Sequence, residues 1–158
     1  MNFPALWLRL GHAMRITLAF SLIGLAGTAI AGDADALYAA AGEGDAAKVS
    51  ALLASGVDVN ARTSNGSYAL NNAAVENQVE VMRMLLDSGA NPNVQNSQGD
   101  TPLICATKYA GGKAGTVKML VEAGTDLAIQ DDEGKTALDY AKTKDQQDAV
   151  ALLDQAGN

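Results

Sequence analysis

Few of the 158 residues could do chemistry, and most of those are acidic. The one histidine, His12, lies beside Trp7, Phe3 and Phe20 within the first 20 positions. From residue 32 onward the only aromatics are Tyr38, Tyr68, Tyr109 and Tyr140, and the only thiol is Cys105. A chain segment without histidine cannot supply imidazole acid–base catalysis, a Ser-His or Cys-His nucleophile pair, or most zinc and haem ligation. Carboxylates are plentiful, 18 against 11 basic residues, yet no spacing marks an acid–base pair. The expectation is a protein with no catalytic residues, no cofactor and no bound metal.

Three short motifs bear on this. Gly111-Gly112-Lys113-Ala114-Gly115-Thr116 resembles a phosphate loop, but Thr107 stands where its first glycine belongs and Ala114 where Ser or Thr belongs. A connection between two helices is expected there instead. Asp131-Asp132-Glu133, with Asp126 nearby, lacks the spacing of a helix-loop-helix calcium site, and a solvated turn tip is expected. Asn65-Gly66-Ser67 fits a glycosylation sequon, and equally a turn with glycine at positive φ. Cys105, within Leu103-Ile104-Cys105-Ala106, is expected to be a buried free thiol.

The first 31 residues read as an address. Arg9 and Arg15 precede a 15-residue apolar run from Ile16 to Ile30, and Ala29-Ile30-Ala31 offers small residues for cleavage. That order matches a secretory signal peptide, starting at Met1 or Met14 and cleaved after Ala31. The run is short for a membrane span, and an uncleaved anchor is the alternative. The expected organisation is a signal peptide at 1–31 and one domain at 32–158, periplasmic or secreted and clear of the membrane after cleavage. Losing Arg9 and Arg15 leaves 9 basic residues against 18 acids, a net charge of −9. So acidic a chain repels nucleic acid and anionic membrane surfaces.

What must position the remaining polar groups is a repeat. Gly56, Gly89, Gly124 and Gly157 are spaced 33, 35 and 33, and Leu37, Leu70, Leu103 and Leu138 are spaced 33, 33 and 35. The two-residue excess falls near Ala110-Gly111. Each unit holds a short helix (Leu70, Ala73, Ala74 on one face) and a second one (Met82, Leu85, Leu86), stopped by glycine. A polar loop and a turn such as Ser97-Gln98-Gly99-Asp100 follow, and Thr101-Pro102 opens the next unit.

Thr101-Pro102-Leu103 with Ala106, Leu52-Leu53-Ala54-Ser55-Gly56 with Val57-Asp58-Val59-Asn60, and Leu85-Leu86-Asp87-Ser88-Gly89 with Ala90-Asn91-Pro92-Asn93 resemble the ankyrin repeat family over about residues 33–157. Leu120-Val121-Glu122-Ala123-Gly124 is a looser copy. The resemblance implies an all-α solenoid of four helix-turn-helix repeats, at about 33–62, 63–95, 96–130 and 131–158, the first and last acting as caps. Inner helices would pack through alanines, here Ala39, Ala40, Ala73, Ala74, Ala106 and Ala141. The family's histidine position holds Tyr38, Asn71, Ile104 and Asp139, and Tyr68-Ala69 replaces Thr-Pro. Asp33 or Asp35 is expected to cap the first helix.

The resemblance also implies a non-enzymatic module, a monomer, that binds another protein through turn tips and concave helix ends. Mapped residue by residue, those positions include Asn65, Ser67, Glu76, Gln98, Asp100, Lys108, Tyr109, Asp132, Glu133 and Lys135. Tyr109 is the foremost of them, because tyrosine is enriched at binding hot spots. Tyr38 and Tyr140 lie near core positions. Small exported ankyrin proteins of Gram-negative bacteria further imply a partner such as a periplasmic enzyme to be inhibited. Support of an oxidative-stress enzyme such as catalase, or action on a host protein, are the alternatives.

Overall fold

The computed structural model describes residues 31–157. The expected signal peptide therefore lies outside the described residues, apart from Ala31. The described chain is eight α-helices without a strand: α1 (Ala31–Glu43), α2 (Ala46–Ala54), α3 (Ala69–Val75), α4 (Val79–Asp87), α5 (Pro102–Lys108), α6 (Ala114–Glu122), α7 (Ala137–Thr143) and α8 (Gln147–Ala156). They form four antiparallel pairs. The inner helices α1, α3, α5 and α7 stack in one row and the outer helices α2, α4, α6 and α8 in a second. Among the described residues no helix is long and apolar enough to cross a membrane.

Small side chains set the inner spacing. Ala40, Ala73, Ala106 and Ala141 occupy the same place in successive repeats and are wholly buried. Ala41 and Ala74 form a second row, which Thr107 continues; its hydroxyl donates to the carbonyls of Leu103 and Ile104, 3.2 and 3.1 Å away. Leu85, Leu120 and Leu153 fill the space between inner and outer helices. Each such leucine contributes about 2 kcal/mol through removal from water. Ala39 was expected in this core and is exposed instead. The repeat period explains it: Ala39 shares its register with Asn72 and Cys105, which face the concave side, whereas the core alanines are Ala40 and Ala41.

Helix ends follow the local sequence. Thr101 and Thr136 cap α5 and α7, and Thr136 with Asp139 makes a reciprocal capping box. Tyr68 stands at the same place before α3 without a side-chain cap. In the uncleaved chain Asp33 and Asp35 lie inside α1, and Asp35 accepts hydrogen bonds from Ser64 of the following turn. Asn60 reaches the next loop at Gly89 and Asn91, and Asn93 reaches Asp126.

The tight link between the two helices of each repeat demands a left-handed residue. Gly44, Asn77, Gly112 and Asp145 fill that place with φ of 74, 55, 60 and 55°. The two-residue insertion lies between α5 and α6, as expected, and adds a second left-handed glycine, Gly111, at φ 76°. A Cβ on Gly112 would lie 2.0 Å from the Gln146 side-chain oxygen, whereas one on Gly111 would meet open space. Gln146 is tied, since its amide donates to the Thr107 carbonyl at 2.8 Å. Gly111→Ala should therefore cost only the backbone term, about 1 kcal/mol, and Gly112→Ala clearly more. Urea unfolding of both variants measures the difference; equal losses would show that Gln146 gives way freely.

Candidate functional site

Three turns project from the stack between consecutive pairs: Thr63–Ser67, Asn96–Asp100 and Asp131–Lys135. In each, the first residue's N–H donates to the last residue's carbonyl, at 2.9, 3.1 and 3.0 Å. Gly66, Gly99 and Gly134 donate back to the first residue's carbonyl. The opening side chain then fixes the loop from within. Thr63 Oγ1 accepts from Ser67 N–H, Asn96 Oδ1 from Gln98 and Asp100 N–H, and Asp131 Oδ1 from Glu133 and Lys135 N–H, all within 3.0 Å. Such locked turns present their tips with little ordering left to lose.

Between the first two turns and the inner helices runs a groove of about 460 Å³. Its turn side is formed by Asn65, Ser67, Asn96, Ser97 and Gln98, its helix side by Asn71, Asn72, Val75 and Cys105, and Tyr38 and Tyr109 complete the lining. Tyr109 is the C-cap of α5 and 49% exposed, one of two large apolar side chains left open among the described residues.

Beside the groove lies a polar joint between the third and fourth repeats. Lys108 Nζ is 3.1 Å from Asp100 Oδ1, 3.1 Å from Asp131 Oδ2 and 3.6 Å from Glu133. Tyr109 donates its hydroxyl to Asp100 at 3.1 Å, and Tyr140 donates to Asp131 at 2.6 Å. The ammonium also lies 5.0 Å from the Tyr140 ring centre and 5.5 Å from that of Tyr109. Burial works against the Lys108 charge, but hydrogen bonds to Tyr140, Asp131 and Asp100 outweigh it and raise its pKa. Burial likewise opposes the Asp131 charge, and donors from Tyr140, the Lys135 backbone and Lys108 carry its pKa well below the carboxylate range. Burial, followed by the bond to Asp131, pushes the Tyr140 hydroxyl up to about 12. Burial also pushes the Cys105 thiol up to about 12. A lysine held charged, a carboxylate held ionised and a thiol held protonated supply neither a nucleophile nor a proton donor near neutral pH.

The ten positions mapped from the sequence divide three ways. Asn65, Ser67, Gln98 and Tyr109 line the groove. Asp100 and Lys108 belong to the joint, with the Asp100 side chain fully buried rather than displayed at a tip. Glu76, Asp132, Glu133 and Lys135 are exposed outside the groove. The expectation that the whole third tip is solvated fails at Asp131, which is 6% exposed because it turns inward onto Lys108 and Tyr140. Among the described residues no cluster of three or more metal-binding side chains occurs. Sequence reading missed Asn72 and Asn96 and treated Tyr38, Asn71 and Cys105 as structural. The 33-residue register of Ala39, Asn72 and Cys105 was the signal that could have found the groove's helix side.

Stacked helix pairs joined by projecting turns define a helical repeat solenoid. Three overlapping copies of the ankyrin repeats model match residues 18–96, 36–131 and 88–157. The chain belongs to the ankyrin repeat family, whose repeats form a protein–protein interaction module. It is 43% identical over 94 residues to an E3 ubiquitin-protein ligase of Arabidopsis thaliana, covering 59% of this chain and 6% of that protein. It is 32% identical over 107 residues to an inactive serine/threonine-protein kinase of Mus musculus, covering 68% and 7%. It is 34% identical over 102 residues to an ankyrin repeat-containing protein of Treponema pallidum, covering 63% and 33%. The chain thus spans a third or less of the length of these relatives.

The joint generates two predictions. Lys108→Met leaves two buried carboxylates without their cation and should destabilise by about 3 kcal/mol, the low end for a broken buried pair because the ammonium keeps some water. Replacing Asp100 and Asp131 by Asn in the same chain should recover most of the loss in urea unfolding. The pH dependence has two edges. Tyr140 is raised in the folded state from 10.0 to about 12, so its contribution is complete below pH 10 and disappears as pH climbs toward 12. Asp131 is lowered, so its contribution is complete above about pH 4 and disappears on acidification. Thermal melts across pH should show both edges, and Tyr140→Phe should shrink the alkaline one, which Cys105, Tyr109 and Lys108, also raised, share.

Proposed function

We propose that the chain is a non-enzymatic, monomeric protein-binding module that engages its partner through the groove and the adjoining turn tips. The observation that carries this reading is the groove itself, with the exposed aromatic Tyr109 beside turns already locked by their own hydrogen bonds. Rigid aromatic anchors in preorganised surroundings are where binding energy concentrates. Lys108 held charged and Asp131 held ionised, each paired within the joint, support the non-enzymatic part. The proposed setting is the periplasm or the extracellular space, on the strength of the basic start, apolar run and Ala-x-Ala end of residues 1–31. A periplasmic enzyme, inhibited by the module, is the proposed partner. The excess of acids, 18 against 11, points to a basic or polar surface on it, steered by charge.

The test is affinity capture from a periplasmic extract with the tagged chain, and with Tyr109→Ala beside it. One stoichiometric protein, bound more weakly as salt rises, is expected. Tyr109→Ala should weaken its binding by about 1 kcal/mol or more, roughly fivefold, in calorimetry. Unchanged affinity would move the interface away from the groove, and no captured protein at low salt would remove the dedicated periplasmic partner.

A further inference from the structure

We propose that the groove takes an arginine side chain of the partner, its guanidinium donating to Asn71 Oδ1. This deepens the protein-binding reading and rests on it. Asn71 is 2% exposed, lines the groove, and its Oδ1 has no hydrogen-bond partner. The amide orientation is fixed chemically. Its NH2 donates to the Asp100 carbonyl at 3.0 Å and lies 3.6 Å from Cys105 Sγ. A flipped amide would set two acceptors face to face at Asp100. Asn72 behaves the same way: its NH2 donates to the Tyr38 carbonyl at 2.9 Å. Both amides thus turn a donor to the backbone, and Asn71 is left with a buried acceptor that has no partner.

The surroundings select the ligand. No lysine or arginine lines the groove. Asp100 lies directly behind Tyr109, and the adjoining joint sets three carboxylates (Asp100, Asp131, Glu133) against two ammonium groups (Lys108, Lys135). The field is thus negative at the Tyr109 end of the groove, while the Arg62 guanidinium stands at the opposite rim beside Gly66 and Ser97. A carboxylate ligand would meet both that field and the unpaired oxygen. A carboxamide would satisfy the oxygen but gain nothing from the field. Guanidinium is planar, carries only donors, is weakly hydrated, and stacks on aromatic faces such as Tyr38 and Tyr109. The oxygen is closed to water in the free protein, so the arriving group must part the side chains above it.

The experiment is an NMR titration of the 15N-labelled full chain, following the carboxamide NH2 signals. N-acetyl-arginine amide is the probe and N-acetyl-glutamine amide the comparison. The arginine probe should shift the Asn71 and Asn72 signals saturably, with at least tenfold tighter binding than the glutamine probe. Asn71→Leu should abolish the Asn72 shift while its thermal unfolding stays cooperative. An equal response to both probes, no response, or undiminished binding by a folded Asn71→Leu would overturn the proposal. Should Asn71→Leu fail to fold, the comparison of probes on the unmodified chain still decides. A captured partner lost with Tyr109→Ala but retained at full affinity by a folded Asn71→Leu would keep the protein-binding reading and remove the arginine subsite. Arginine-probe binding without any captured partner would do the reverse.

Discussion

Close approach of the inner helices is the constraint from which the rest of this structure follows. Ala40, Ala73, Ala106 and Ala141 are wholly buried at one register of α1, α3, α5 and α7, and nothing larger than a methyl group fits between those helices. Packing at native density then leaves no room for Phe or Trp, and none occurs from residue 32 onward. Large apolar side chains such as Leu85, Leu120 and Leu153 pack instead in the layer between the inner and outer rows. Because each pair buries its surface only against its neighbours, the stack grows in one dimension and keeps one long concave side open.

The same constraint decides where polar groups go. A row one residue away from the alanine spine faces the concave side, and its occupants are Ala39, Asn72, Cys105 and Tyr140. The first three are small or medium and leave the groove open. Tyr140 is large; it is 6% exposed, its hydroxyl reaches Asp131, and its ring lies 5.0 Å from the Lys108 ammonium. The groove therefore ends where Tyr140 and the polar joint begin. The joint in turn couples the second turn, through Asp100, to the third, through Asp131, so a load on one tip is carried to the next by charge-assisted bonds.

Features that recur every 33 residues were legible in the sequence: the eight helices, the helix-stopping glycines and the turn tips. Repetition made each of them visible several times. Features that depend on a single departure from the repeat were not. Asp131 occupies the place of Thr63 and Asn96, and as a turn residue it reads as solvated; only Lys108 and Tyr140, 23 residues before and 9 after it, draw it inward. Ala39 misled because three consecutive alanines at 39–41 fit a helix face in more than one phase.

Asn71 shows how one departure turns a structural position into a functional one. Its equivalents are Tyr38, Ile104 and Asp139, and each resolves its own place differently. Ile104 is apolar and needs no partner, and Asp139 closes the capping box with Thr136. Asn71 makes one bond across the repeat boundary, to the carbonyl of Asp100, and that bond forces its oxygen away from every donor nearby. An unpaired buried acceptor costs about 1–3 kcal/mol. Folding alone would be served better by an apolar residue there, as Ile104 demonstrates one repeat later. The cost is recovered only when something outside the chain brings a donor, which places Asn71 with the binding surface and not with the core.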